Sequence, residues 1–161
     1  MRVAVGFDHA GYPLKQAIVP LLEQAGHEVI DCGTDSGESV DYPVHAARAA
    51  RLVATGEADR AVLACGTGAG VSIVANKFDG VRAVNARDSE DAAMSRRHND
   101  ANVLALAGRR LSSDEVGAII AAFLDTQFEG GRHQRRIDQI GAIEGGEDLD
   151  AAEREALERS R

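Results

Sequence analysis

Five short apolar runs constrain this chain more than any other feature. They are RVAVG (2–6), HEVIDCG (27–33), RAVLAC (60–65), VRAVNA (81–86) and NVLALAG (102–108). Each has the length and β-rich character of a strand. The stretches between them have helical spacing. In GYPLKQAIVPLLEQAG (11–26), Leu14, Ile18, Leu21, Leu22 and Ala25 fall on one stripe and Gly26 is a stop signal. Pro13 suits a first turn, whereas Pro20 predicts a kink near the middle. Further helices are expected within 39–56, from 71, over 88–100, over 112–128 and over roughly 132–143. The segment 88–100 is acidic early and carries arginines late, as the helix dipole prefers, and Ser112 opens the next helix as a cap. Strands alternating with helices imply an α/β fold, with a parallel sheet covered on both faces.

Composition narrows the function. The chain has 161 residues, enough for one domain with a normal core. A formal net charge of −8 with 4% aromatic residues argues against nucleic acid, which calls for basic patches. Small anions remain open, because local arginines and backbone N–H groups matter more than net charge. No apolar stretch reaches 18 residues, so no membrane-spanning helix is expected. The opening MRVAVGFDHAGY does not read as a signal peptide. Cys32 and Cys65 are too few for a disulfide scaffold, and a reduced cytoplasmic protein is the simplest reading.

In open α/β sheets, ligands sit at the carboxyl ends of strands, near a switch in strand order. Three polar groups are candidates for that edge: Asp8 and His9 after the first strand, Cys65 with the loop GTGAG after the third, and His98 and Asn99 before the fifth. Each has a plainer reading. Asp8 suits a helix cap, a lone histidine is often structural, and Cys65 suits a small buried hydrophobe. The loop lacks both the phosphate-loop and the dinucleotide-fingerprint spacing. Its glycines Gly66, Gly68 and Gly70 still let backbone N–H groups approach an anion or a reaction oxyanion. The same setting favours a thiolate. A second anion site is suggested by FEGGRHQRRIDQI (128–140), where a helix puts Arg132 and Arg136 on one face. Pairing with Asp125, Glu129 or Asp138 is the alternative.

The stretches GFDHAGYPLK, DYPVHA, CGTGAGVSIVANK, RHNDANVLALAGRR and FEGGRHQRRI closely resemble the type B ribose-5-phosphate isomerases, a family that includes allose- and galactose-6-phosphate isomerases. The resemblance covers residues 2 to about 144 and leaves the charged tail outside. It implies a Rossmann-like three-layer α/β/α sandwich on a five-stranded parallel sheet, with domain 1–144 followed by tail 145–161. It further implies a homodimer or dimer of dimers with shared active sites, and aldose–ketose isomerisation of a phosphorylated sugar without metal or cofactor. By the same resemblance Cys65 removes the C2 proton. A second branch of the family places a glutamate where this chain has Val71, so the chain looks like the cysteine type. Asp8 and Thr67 then handle hydroxyls, and His98 opens the ring. Asn99 and the Gly66–Gly70 amides hold the enediolate. His9, Arg109, Arg132 and Arg136 hold the phosphate, and Tyr42 lines the site. The tail, EGGEDLDAAEREALERSR, reads as a solvated or frayed helix.

Overall fold

The computed structural model describes residues 1–159. Its elements run β1 (Arg2–Phe7), α1 (Tyr12–Gln24), β2 (Glu28–Asp31), α2 (Tyr42–Ala54), β3 (Arg60–Cys65), α3 (Ala69–Ala75), β4 (Ala83–Asn85), α4 (Ser89–Asn99), β5 (Val103–Ala107), α5 (Ser113–Asp125), α6 (Arg132–Glu144) and α7 (Leu149–Arg159). All strands pair in parallel, in the order β2-β1-β3-β5-β4.

The alternation of side chains along the strands builds two cores. Val3, Val5 and Phe7 of β1, Val62 and Ala64 of β3, and Leu104 and Leu106 of β5 face the layer of α1, α4 and α5. Ala4, Ala61, Leu63, Cys65, Val103 and Ala105 face α2 and α3. The first layer is anchored by large side chains such as Phe123, Ile119 and Ile18, all essentially inaccessible. Removing the Phe123 ring would cost about 3–5 kcal/mol. The second layer meets the sheet through alanines Ala46, Ala49 and Ala50, which allow close approach.

Helix α1 continues through Pro20, whose ring lies on the exposed side. The cap expected at Ser112 forms, as a capping box with Glu115. The tail folds as α7, which contacts α6 and exposes Asp150, Glu153, Arg154, Leu157 and Glu158.

The strand order fixes where a ligand fits. From β1 the chain moves outward to β2 through α1 on one face. From β3 it moves the other way, through α3 on the opposite face. The carboxyl ends of β1 and β3 therefore diverge and leave a crevice between them.

Candidate active site

Asp8 follows β1 at this crevice and is buried. Its backbone N–H donates to the Ala64 carbonyl, and its Oδ1 accepts from the N–H groups of Ala10 and Gly11 at 2.9 and 2.8 Å. The carboxylate thus closes the turn that leads into α1 without capping the helix, whose N-cap is Gly11, and it also lines the cleft. His9 Nδ1 lies 3.2 Å from the Val40 N–H and 3.3 Å from the Val40 carbonyl. That contact ties the loop before α2 to the crevice and brings Tyr42 across it.

Cys65 ends β3, 5% exposed, opposite Ala107 of β5. Gly68 follows with φ +76°, a conformation that L side chains rarely adopt, and a Cβ there would strike Asn85 Oδ1. Asn85 also donates from Nδ2 to the Thr67 carbonyl at 3.1 Å. It fixes the loop from the end of β4, and an asparagine closing an apolar strand run was its only mark in the sequence. A Cβ at Gly70 would lie 2.7 Å from Tyr42 Cζ, so the tyrosine ring packs directly on the loop. From β5, the Gly108 N–H donates to the Cys65 carbonyl at 2.8 Å and the Arg109 N–H to the Gly66 carbonyl at 3.2 Å. The Arg109 guanidinium then lies over Gly66.

The result is an open cleft of about 340 Å³ lined by Asp8, His9, Tyr42, Cys65, Gly66, Thr67, Gly70 and Arg109. It holds a thiol, a carboxylate, a hydroxyl, an imidazole and a guanidinium over a glycine loop. That set suits proton transfer on a small anionic, hydroxylated molecule.

The remaining candidates lie elsewhere, which corrects the expectation that every polar group meets at one edge. A helix joining two parallel strands runs back against them, so the end of α4 reaches the amino edge of the sheet. Asn99 is held there, its carbonyl accepting from Arg82 Nε at 3.1 Å just before β4. Buried Arg96 fixes the α4–β5 turn through Asp100, the Ala101 carbonyl and the Thr126 carbonyl. His98 stacks on His133 of α6, with ring centroids 4.2 Å apart and planes within 7°. Glu129 Oε2 sits 3.8 Å from Nε2 of each ring. Burial holds the His133 imidazole below its ordinary pKa, helped by His98, Arg132 and Arg136 and opposed by Glu129. Arg132 and Arg136 are exposed on α6, and among the described residues neither pairs with a carboxylate. The alternative pairing with Asp125, Glu129 or Asp138 is therefore not formed; Asp138 instead accepts from Gln134. Within one chain, the cleft and this basic cluster occupy opposite edges of the sheet. Sequence reading singled out neither Glu129 nor His133 as a partner of His98, since their meeting depends on how α6 returns against α4.

Comparison with known proteins gives this arrangement its context. A ribose-5-phosphate isomerase B of Escherichia coli (strain K12) is 50% identical over 143 residues, 89% of this chain and 96% of its own length. A D-erythrulose-4-phosphate isomerase of Pectobacterium atrosepticum is 39% identical, over 89% of this chain and 95% of its own. The solved structure of a Clostridium thermocellum ribose-5-phosphate isomerase B superposes with a TM-score of 0.89 at 47% identity, covering 91% of this chain and 99% of that one. Since the model of the Ribose/Galactose Isomerase family also matches residues 3–140, from the first strand into α6, the chain belongs to that family.

Proposed function

We propose that the chain interconverts ribose 5-phosphate and ribulose 5-phosphate through a cis-enediolate, with Cys65 as the base. The observation that carries this reading is the single cleft that joins Cys65 to Asp8, Thr67, Arg109 and the glycine-loop amides. An aldose–ketose isomerase must open the sugar ring, take the proton from C2 and return it at C1. Between those steps negative charge sits on oxygen. Amides aimed at that oxygen are worth roughly 100- to 1000-fold in rate each. In this scheme the Gly66–Gly70 amides and Asn99 stabilise the enediolate, Asp8 and Thr67 bind hydroxyls, and His98 assists ring opening. His9, Arg109, Arg132 and Arg136 bind the phosphate, and Tyr42 closes one side. No cofactor is needed, because the electrons move within the substrate.

His98, Asn99, Arg132 and Arg136 reach the sugar only if a second copy brings its amino-edge cluster to this cleft. A homodimer, alone or paired into a tetramer, is thus part of the proposal. Residues 1–144 carry the activity and 145–161 lie outside it. Two free thiols, one of them the proposed base, suit a reducing compartment such as the cytoplasm.

A second reading keeps the mechanism and changes the sugar. The similarity to an erythrulose-4-phosphate isomerase favours it, and a hexose 6-phosphate such as allose or galactose 6-phosphate is the other variant. A non-catalytic sugar-phosphate binder fits less well, since it would have no need of Cys65 and His98. The test is kcat/KM for ribose 5-phosphate beside erythrose 4-phosphate and allose 6-phosphate. Preference for ribose 5-phosphate is expected. Preference for another sugar would overturn the substrate, and no turnover of any would overturn the enzyme.

A further inference from the structure

We infer that Asn85 is a positioning residue for the isomerisation: it aims the Gly68 N–H at the oxyanion of the enediolate. This role rests on the function proposed above, in which the glycine-loop amides hold that charge.

One peptide group is decisive, the link between Thr67 and Gly68. A trans peptide points its C=O and its N–H in opposite directions. Asn85 Nδ2 donates to the Thr67 carbonyl at 3.1 Å. Asn85 ends β4, and in the order β2-β1-β3-β5-β4 that strand lies two places from β3 on one side. β1, which leads into Asp8 and His9, is next to β3 on the other side. The Thr67 carbonyl is thus drawn toward β4. The Gly68 N–H is turned the opposite way, toward Asp8, His9 and the cleft. Among the described residues nothing accepts a hydrogen bond from this N–H, so it is open to a ligand oxygen.

Glycine makes the anchor necessary. Turning this peptide over changes ψ of Thr67 and φ of Gly68. Gly68 has φ +76°, and glycine takes negative φ about as readily. The backbone alone therefore allows both orientations. In the reversed one the Thr67 carbonyl would face the enediolate, and an attractive dipole would become a repulsive one. Asn85 selects the first orientation with both ends of its amide. Its Nδ2 bonds the carbonyl that points away from the cleft, and its Oδ1 packs against Gly68, where an added Cβ would strike it. Farther along the loop, the Tyr42 ring lies against Gly70. The turn is thus held at two points while the Gly68 N–H stays unpaired.

The consequence is kinetic. Full negative charge on the oxygen exists only in the enediolate and the transition states around it. An aimed amide therefore lowers the barrier more than it tightens substrate binding. One such donor is worth roughly 100- to 1000-fold in rate. Loss of its aim, with the loop still folded, should cost roughly 10- to 100-fold.

The experiment compares wild type with Asn85→Ala and Asn85→Asp. Asn85 is exposed, so both changes spare the core. The aspartate keeps the shape of the side chain, but once ionised it cannot donate to the Thr67 carbonyl. Four quantities are measured: kcat and KM on the sugar phosphate that wild type prefers, inhibition by a phosphorylated hydroxamic acid whose planar anion mimics the enediolate, inhibition by inorganic phosphate, and the urea midpoint. In both variants kcat should fall roughly 10- to 100-fold, and hydroxamate inhibition should weaken by a similar factor. KM and phosphate inhibition should change by less than about twofold, with the urea midpoint unmoved. Wild-type kcat in Asn85→Ala would overturn the positioning role. So would a loss confined to KM, or a fall in kcat that tracks a lowered urea midpoint, which is the mark of a merely structural bond. None of these results touches the isomerase reading, which wild-type turnover establishes in the same assay. A wild type that turns over no sugar phosphate would overturn both.

Discussion

Mixing two inactive variants should restore activity. Cys65→Ala removes the proposed base at the carboxyl edge, and His98→Asn removes the proposed ring-opening group at the amino edge. Each alone should lose about 100-fold or more in turnover of ribose 5-phosphate. In a dimer that pairs one copy's cleft with the other's basic cluster, a heterodimer concentrates both lesions in one site. Its second site keeps Cys65 from one chain and His98 from the other, both intact. Random assortment makes half the dimers mixed, and half the sites in those are whole, so about a quarter of wild-type activity returns. The assay is co-expression or joint refolding at equal amounts, followed by initial rates. Native mass spectrometry of the same sample counts the heterodimers. If both groups acted within one chain, no site in the mixture would be whole. Heterodimers without recovered activity would therefore refute the shared site.

Other outcomes follow from the same geometry. Cys65→Ala should abolish turnover while a sugar-phosphate analogue still binds, measured by calorimetry; retained turnover would remove the thiol from the role of base. Gly68→Ala should lose about 1–2 kcal/mol of stability from its positive φ, more once the new methyl displaces Asn85. Urea denaturation and kcat together check this, and an unchanged midpoint would contradict the strained loop. Truncation after Glu144 removes α7, which contacts α6, and should leave kcat/KM unchanged. A dead truncated chain would show that α7 shapes the site.

The three inner strands β1, β3 and β5 were legible because each run is short, apolar and buried on both faces, and the edge strands β2 and β4 through shorter, half-buried runs of the same kind. The glycine loop was legible for a related reason: Gly68 occupies a backbone conformation that other residues avoid. Strand order was not. Nothing in VRAVNA or NVLALAG says that β5 inserts between β3 and β4. The contacts that shape the loop were equally hidden, since Asn85 is 18 residues from Thr67 in sequence and meets it only through that order. The misplacement of His98 and Asn99 has a more general cause. In a parallel sheet, residues that follow a strand gather at the carboxyl edge, and residues that precede one gather at the amino edge. RHNDAN precedes β5, so it never shared an edge with Cys65 in its own chain. A polar motif after one strand and another before a different strand cannot act on one small molecule within a single copy of such a sheet. If both act on the sugar, the topology itself demands a partner, and the sequence already carried that demand in the positions of the motifs relative to their strands.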